Sequence, residues 1–214
     1  MSAELEKRAA AVASAALVED GMRVGLGTGS TVRYLLPALA ERGLTLRCVA
    51  TSVATERIGR ELGLTIEPFE ALDALDIAID GADQVAPDGW TIKGGGGAHT
   101  REKVVARASA RFVVIVSADK VVDSLTPPVP LELLRFGLPA TLRLLGEAEI
   151  RDGAPLSPDG GVIADYRGRF GDPAALAAEL DAVPGVVGHG LFPAAMVSDV
   201  LIARGEEVEH RRIG

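Results

Sequence analysis

Apolar positions along this chain fall in short runs that alternate with helical spacings, and polar clusters sit where the runs end. Residues 3–18 place alanine-rich apolar positions on one helical face, closed by the Glu19-Asp20-Gly21 break. Arg23-Val24-Gly25-Leu26 reads as a buried strand running into Gly27-Thr28-Gly29-Ser30-Thr31. Helical spacing resumes from Val32 to Arg42, with Ser30 or Thr31 as N-cap and Gly43 as stop. The pattern then predicts a strand over Cys48 to Thr51, a helix over Thr55 to Leu62, and strands over Leu64 to Ile66 and Ile77 to Ile79. A helix over Thr100 to Ser109 leads to the most apolar strand, Phe112 to Val116.

Strands alternating with helices predict an α/β fold, a largely parallel sheet with helices on both faces. The rhythm breaks at Thr126-Pro127-Pro128-Val129-Pro130, a segment read as continuing neither element. Beyond it the pattern gives a helix over Leu133 to Leu145, a hairpin over Arg151 to Tyr166, a helix over Ala174 to Leu180 and a strand through Val186-Val187. Together these form a smaller α+β companion domain. Val200 to Ala203 is apolar enough to rejoin the first sheet. The expected division is 1–125 with 199–214 as the main unit and 126–198 as the companion.

Composition narrows the function. With 48% hydrophobic and 24% charged positions in 214 residues, the chain can bury a core. Only 4% of residues are aromatic and the net charge is −8, which argues against nucleic-acid partners that need stacking platforms or a basic face. No window approaches an uncharged apolar span of ~18 residues. Met1 to Asp20 lacks the basic-then-apolar order of a signal peptide. The expectation is a cytoplasmic protein with no membrane partner. Cys48 is the sole cysteine, so neither an intramolecular disulfide nor a cysteine metal cluster is available, and its apolar neighbours mark it as a buried structural thiol.

The chemistry concentrates in Lys93-Gly94-Gly95-Gly96-Gly97-Ala98-His99-Thr100-Arg101-Glu102-Lys103. Four successive glycines lose much conformational freedom on folding, and offer in return a backbone whose N–H groups can approach a ligand. Beside a lysine and a helix N-terminus, such a loop suits an anion or an oxygen that becomes negative during a reaction. Gly27 to Thr31 has the strand–turn–helix form of a phosphate cup. It lacks the third glycine of a dinucleotide fingerprint and the Gly-Lys-Ser/Thr ending of a nucleotide loop. Asp80-Gly81-Ala82-Asp83 sets two carboxylates at a strand exit, where they could serve turn chemistry, proton transfer with sugar hydroxyls, or Mg²⁺. Lys120 ends the apolar strand after Ser117-Ala118-Asp119. His99, His189 and His210 are read as structural, and Trp90 as packing.

In order along the chain, Gly27 to Thr31, Asp80 to Asp83, Lys93 to Gly96 with Thr100-Arg101-Glu102-Lys103, Ala118-Asp119-Lys120, Pro128-Val129-Pro130-Leu131-Glu132, and Pro184 to Val187 through Gly190-Leu191-Phe192 resemble ribose-5-phosphate isomerase of the A type. The resemblance implies interconversion of D-ribose 5-phosphate and D-ribulose 5-phosphate in the non-oxidative pentose phosphate pathway, with no metal or organic cofactor. It implies Glu102 as the base that moves a proton between C2 and C1 through an enediolate. Binding positions map onto Thr28, Gly29, Ser30 and Thr31; Asp80, Gly81, Ala82 and Asp83; Lys93, Gly94, Gly95 and Gly96; and Lys120. A homodimer or dimer of dimers is implied, assembled through the companion domain. In chemical terms, Lys93 and the glycine N–H groups suit the developing oxyanion, Asp80 and Asp83 suit hydroxyls and ring opening, and the Thr28–Thr31 cup with Lys120 suits the phosphate. Gln84 stands where the family commonly has glutamate, His99 where members carry a small or apolar residue, and 133–146 matches loosely. A non-catalytic sugar-phosphate sensor of the same fold would need the cup but not Glu102.

Overall fold

The computed structural model describes residues 3–213. The chain opens with helix α1 (Ala3–Ala15), strand β1 (Arg23–Leu26), α2 (Val32–Ala40), β2 (Arg47–Ala50) and α3 (Val53–Glu61). It continues through β3 (Ile77–Asp80), the short β4 (Gln84–Val85) and β5 (Thr91–Ile92), α4 (His99–Arg107) and β6 (Phe112–Ser117). Next come β7 (Val129–Leu133), α5 (Leu138–Leu145), β8 (Ala148–Ile150), β9 (Val162–Tyr166), α6 (Pro173–Asp181), β10 (Val186–His189) and β11 (Leu191–Phe192). Strands β12 (Asp199–Arg204) and β13 (Glu207–Arg212) close it.

The main sheet has the order β13-β12-β6-β3-β1-β2, parallel throughout except for β13. All six residues of β6 are buried, as its unbroken apolar run requires for a strand covered on both faces. Helices α1 and α2 cover one face through Ala10, Ala11, Leu35 and Leu39. Helix α4 covers the other through Val105 and Ala106. It lies so close that a Cβ on Gly25 would stand 2.5 Å from Val105 Cγ1. From β1 the chain steps outward to β2, then crosses to β3 on the opposite side. That reversal makes the C-terminal ends of β1 and β3 a switch point, where open α/β sheets leave a crevice. Val200 to Ala203 does rejoin this sheet, beside β6. Cys48 is buried, and burial pushes its thiol up to about 12.

A second, antiparallel sheet has the order β10-β7-β9-β8 and packs Leu131, Leu133 and Ala164 with Leu176 and Leu180 of α6. Here two expectations are corrected. Leu133 to Leu145 is not one helix: Leu133 ends β7, and α5 begins only at Leu138 after Gly137 at φ 68°. The leucine spacing across the gap imitates a helical face, but Leu133 pairs with both Val162 and Val186. The proline segment also does not stop an element, since Pro130 lies within β7. Its carbonyl accepts the Gly190 N–H at 2.7 Å, on the side where pairing with β10 has ended at Leu131. Its missing N–H therefore breaks no ladder bond. The strand expected over Leu64 to Ile66 shrinks to one bridge, Ile66 against Cys48, before the chain turns at Pro68. The hairpin is present as β8 and β9, starting before Arg151.

A three-stranded sheet, β11-β5-β4, joins the two regions. Gly190 is its hinge point: its carbonyl accepts the Lys93 N–H at 2.9 Å while its own N–H goes to Pro130. A Cβ there would stand 2.1 Å from the Lys93 carbonyl oxygen. Gly190→Ala is expected to lower the unfolding free energy by about 3 kcal/mol, because the clash is with backbone and cannot be relieved by a rotamer. Gly171→Ala, with nothing within 4 Å, should change it by less than about 0.5 kcal/mol. Urea denaturation of the two variants measures the difference.

Candidate active site

The crevice at the switch point is a cavity of about 210 Å³. Three backbone segments meet there because their strands end side by side. From β1 come Thr28, Gly29, Ser30 and Thr31; from β3 come Gly81, Ala82 and Asp83; and from β5 come Lys93, Gly94, Gly95 and Gly96. Glu102 reaches it from the first turn of α4, and Asp119 and Lys120 from the end of β6. Every residue expected at the site lines this one cavity except Asp80.

Asp80 instead lies beneath the wall, 3% exposed. Its Oδ1 accepts the N–H groups of Thr28 at 3.0 Å and Gly81 at 2.7 Å, and its Oδ2 faces Lys93 Nζ at 2.9 Å. The carboxylate is held by protein groups and does not line the cavity, whereas Asp83 does. Gly27 must be glycine here, since a Cβ would stand 2.0 Å from Asp80 Oδ1. Thr55 of α3 donates to the Gly27 carbonyl at 2.8 Å, and the hydroxyls of Thr28 and Thr51 share a bond of 2.8 Å. Thr31 holds the N-cap position of α2 without a side-chain cap bond, so its hydroxyl is not spent on the helix.

Lys93 is 2% exposed and sits between two carboxylates, Asp80 and Glu102, the latter at 3.2 Å. It also donates to the Gly81 carbonyl and lies 5.4 Å above the Phe192 ring. Burial alone would lower its pKa, but the charges of Asp80 and Glu102 outweigh this and hold it above the ordinary lysine value. Burial raises Asp80, opposed by Lys93 and the two backbone donors. Glu102 has fewer partners. Its Oε2 is buried with no hydrogen bond, for Lys93 is near enough to attract it but off the hydrogen-bonding angle. Burial first, then the charge of Asp80, push Glu102 up to about 8, against the pull of Lys93. One ammonium shared by two buried acids thus leaves Glu102 able to hold a proton near neutral pH.

Asp83 faces the opening, where its Oδ2 accepts the Gly95 N–H at 2.8 Å. Lys120 is half-buried, 3.3 Å from Asp119. Besides Ala3, a charged cavity residue on α1 was not legible locally: Lys7. It is placed by its neighbour Glu6, which accepts the N–H groups of Ala118 at 3.0 Å and Gly205 at 3.1 Å and so ties α1 to the main sheet. A lysine in an amphipathic helix carries no local signal of this. The histidines stay outside the cavity. His99 is fully buried under Gly94, and burial lowers it to about 3, keeping the ring neutral. Gln84 explains its own departure: its amide donates to the Thr126 carbonyl and accepts the Thr126 N–H, both at 2.9 Å, a two-way bond that an ionised glutamate cannot make. Among the described residues, no helix is long and apolar enough to cross a membrane.

The sequence model of ribose 5-phosphate isomerase A (phosphoriboisomerase A) matches residues 47–207. The chain belongs to this family. It is 48% identical to the ribose-5-phosphate isomerase A of Methylorubrum extorquens over 211 residues, covering 90% of this chain and 89% of that one. The corresponding protein of Nitrobacter hamburgensis is 41% identical and covers 99% of this chain and all of its own. Among solved structures, ribose 5-phosphate isomerase A of Methanocaldococcus jannaschii superposes with a TM-score of 0.92 at 32% identity, covering 99% of this chain and 100% of that one. A D-ribose-5-phosphate isomerase in complex with phospho-erythronic acid superposes at 0.93 with 33% identity, covering 99% and 100%. A translation initiation factor eIF-2B of Pyrococcus horikoshii, at TM-score 0.55 and 17% identity, shares the fold alone.

The raised Glu102 has a consequence for stability in this family member. In the unfolded chain it titrates near 4.5, in the folded chain near 8. The folded state therefore holds the proton more tightly, and its advantage is full below pH 4.5 and lost as pH rises through about 8. Glu102→Gln, which cannot ionise, should melt at least ~3 °C above the parent at pH 9, with the gap narrowing toward pH 5. Calorimetric melting across that range checks the sign.

Proposed function

We propose that this chain interconverts D-ribose 5-phosphate and D-ribulose 5-phosphate, with Glu102 as the base that carries the proton between C2 and C1. The observation that carries the reading is the Lys93 ammonium set between Glu102 and Asp80 at the base of a cavity whose rim is a phosphate-type loop. Glu102 takes the proton from C2 of the open-chain aldose, and the electron pair moves into a C1–C2 enediol whose C1 oxygen becomes negative. Lys93 and the glycine-loop N–H groups hold that oxygen and its neighbour. Glu102 then returns the proton to C1 as a proton passes from the C2 hydroxyl to the C1 oxygen, giving the ketose. Oxidation at C2 balances reduction at C1 within one molecule, so the step needs no external oxidant or reductant, and in this reading Lys93 and the loop N–H groups serve where a metal would otherwise hold the oxygens.

The remaining roles follow from position. Thr28, Gly29, Ser30 and Thr31, with Lys120 and Lys7, hold the phosphate, whose binding energy positions the reacting carbons. Asp83, with Gly81 and Ala82 beside it, takes the sugar hydroxyls and assists ring opening. Asp80 acts from behind, fixing Lys93. Phospho-erythronic acid, bound by the related isomerase, offers a carboxylate in place of the two enediolate oxygens and is the natural inhibitor to try. The reading places the enzyme in the cytoplasm, in the non-oxidative pentose phosphate pathway, with 1–125 and 199–214 as the catalytic unit. The unit 126–198 serves assembly of a homodimer or dimer of dimers, which the exposed Leu134, Phe136 and Leu144 support.

Glu102→Gln is expected to lower turnover of ribose 5-phosphate by at least ~10³-fold while phospho-erythronic acid still binds, since a general base is worth ~10²–10⁴-fold. Near-normal turnover would remove Glu102 from the role. Exhaustive chelation of the wild type should leave activity unchanged, and strict dependence on an added divalent cation would sink the carboxylate–lysine mechanism. Both are read by following ribulose 5-phosphate formation, with a six-carbon phosphosugar as the selectivity control.

A further inference from the structure

We infer that Arg151 is a positioning residue for this reaction: its guanidinium, clamped by Asp165, fixes two successive peptide planes of the glycine loop so that the Gly96 N–H faces the cavity. The inference rests on the enediolate reading above. Arg151 follows β8, and its own N–H donates to the Ile163 carbonyl at 3.0 Å. Its Nε and Nη2 donate to Asp165 at 2.9 and 2.6 Å. Asp165 is buried on β9, an interior strand of the four-stranded sheet, so the fork has a rigid base. The remaining nitrogen, Nη1, donates to both the Gly94 and the Gly95 carbonyls, each at 3.0 Å.

Those two bonds set the loop's direction. In a trans peptide the C=O of one residue and the N–H of the next point opposite ways. Drawing the Gly94 and Gly95 carbonyls toward Arg151 turns the Gly95 and Gly96 N–H groups away from it. The Gly95 N–H does point away, to Asp83. The Gly96 N–H has no partner among the described residues, and Gly96 lines the cavity. Bonds within the loop reach the Gly94 carbonyl but not the Gly95 carbonyl, whose plane carries the Gly96 N–H. Gly94 sits at φ +110° and Gly97 at φ +72°, and the one backbone hydrogen bond closed inside the tetrad runs from Gly97 N–H to Gly94 carbonyl. Peptides flanked by glycine on both sides turn with little steric resistance. The guanidinium stays charged, held above its ordinary value first by its bonds to Asp165.

The test is steady-state turnover of ribose 5-phosphate by full-length variants that melt as folded proteins. Arg151→Met is expected to lower kcat ~10- to 100-fold with KM changed less than ~3-fold, since a lost oxyanion donor is worth ~10²–10³-fold and Arg151 acts through one. Arg151→Lys should fall likewise, because one ammonium cannot grip both Asp165 oxygens and both carbonyls. The acidic limb of the pH profile, set by Glu102, should stay in place. Asp165→Asn, which keeps the arginine but loosens its fork, should lose at least ~3-fold in kcat, and it decides the question alone if Arg151→Met does not fold. A kcat within ~2-fold of wild type in any of these folded variants, or a loss confined to KM, overturns the inference. A wild type unable to isomerise ribose 5-phosphate would overturn the functional reading instead.

Discussion

The ammonium of Lys93, buried between Asp80 and Glu102, is the constraint around which the rest is arranged. A charge removed from water persists only when paired, and breaking such a pair by deleting one partner costs about 3–5 kcal/mol. Here two acids share one ammonium, and a proton held on Glu102 near neutral pH relieves the excess of negative charge. The imbalance has chemical use. Asp80 is satisfied by two backbone N–H groups as well as by Lys93, whereas Glu102 depends on Lys93 alone. Burial raises both carboxylates, and the unequal division of donors leaves Glu102 poised near neutrality.

Keeping Lys93 in that place draws on both sheets. Its backbone is paired with Gly190, which is paired in turn with Pro130 of the second sheet, and Phe192 lies under its ammonium. The glycine loop that follows is gripped from the same side by Arg151. The switch point of the main sheet therefore supplies the crevice and the Thr28–Thr31 loop, while the smaller sheet braces Lys93 and the glycine loop. Two rigid bodies meeting at a loop without side chains can place donors more finely than the loop could place itself.

Much of this was legible in sequence, and the failures have physical causes. Strand–helix alternation and polar clusters at strand ends depend on local periodicity, so β1, β3, β6 and their terminal motifs were found with their loops. β7 was not, because Pro130 and the leucines from Leu133 onward look like a breaker followed by a helix; only pairing with Val162 and Val186 makes them a strand. Lys7 and Arg151 were missed for a related reason. Each is an ordinary basic residue whose significance lies in what it meets more than 50 residues away, as with Arg151 and Gly94. That Asp80 lies beneath the cavity wall while Asp83 lines it was not legible either, since a motif gives spacing and not the direction of a side chain.

The glycine tetrad shows the same limit from the other direction. Its sequence states only that no Cβ is present, and the structure shows several places where one would not fit: against His99 at Gly94, 2.7 Å away, and against Asp83 at Gly95, also 2.7 Å away. Permission to approach is not yet a geometry, because a flexible backbone populates many. Geometry comes from the hydrogen bonds imposed on the loop by Asp83 on one side and Arg151 on the other, and each of those is fixed by its own strand or sheet. A loop can be both conformationally costly and exact in shape only if its order is supplied by neighbours, and this one is ordered by a carboxylate that lines the cavity and a guanidinium that does not.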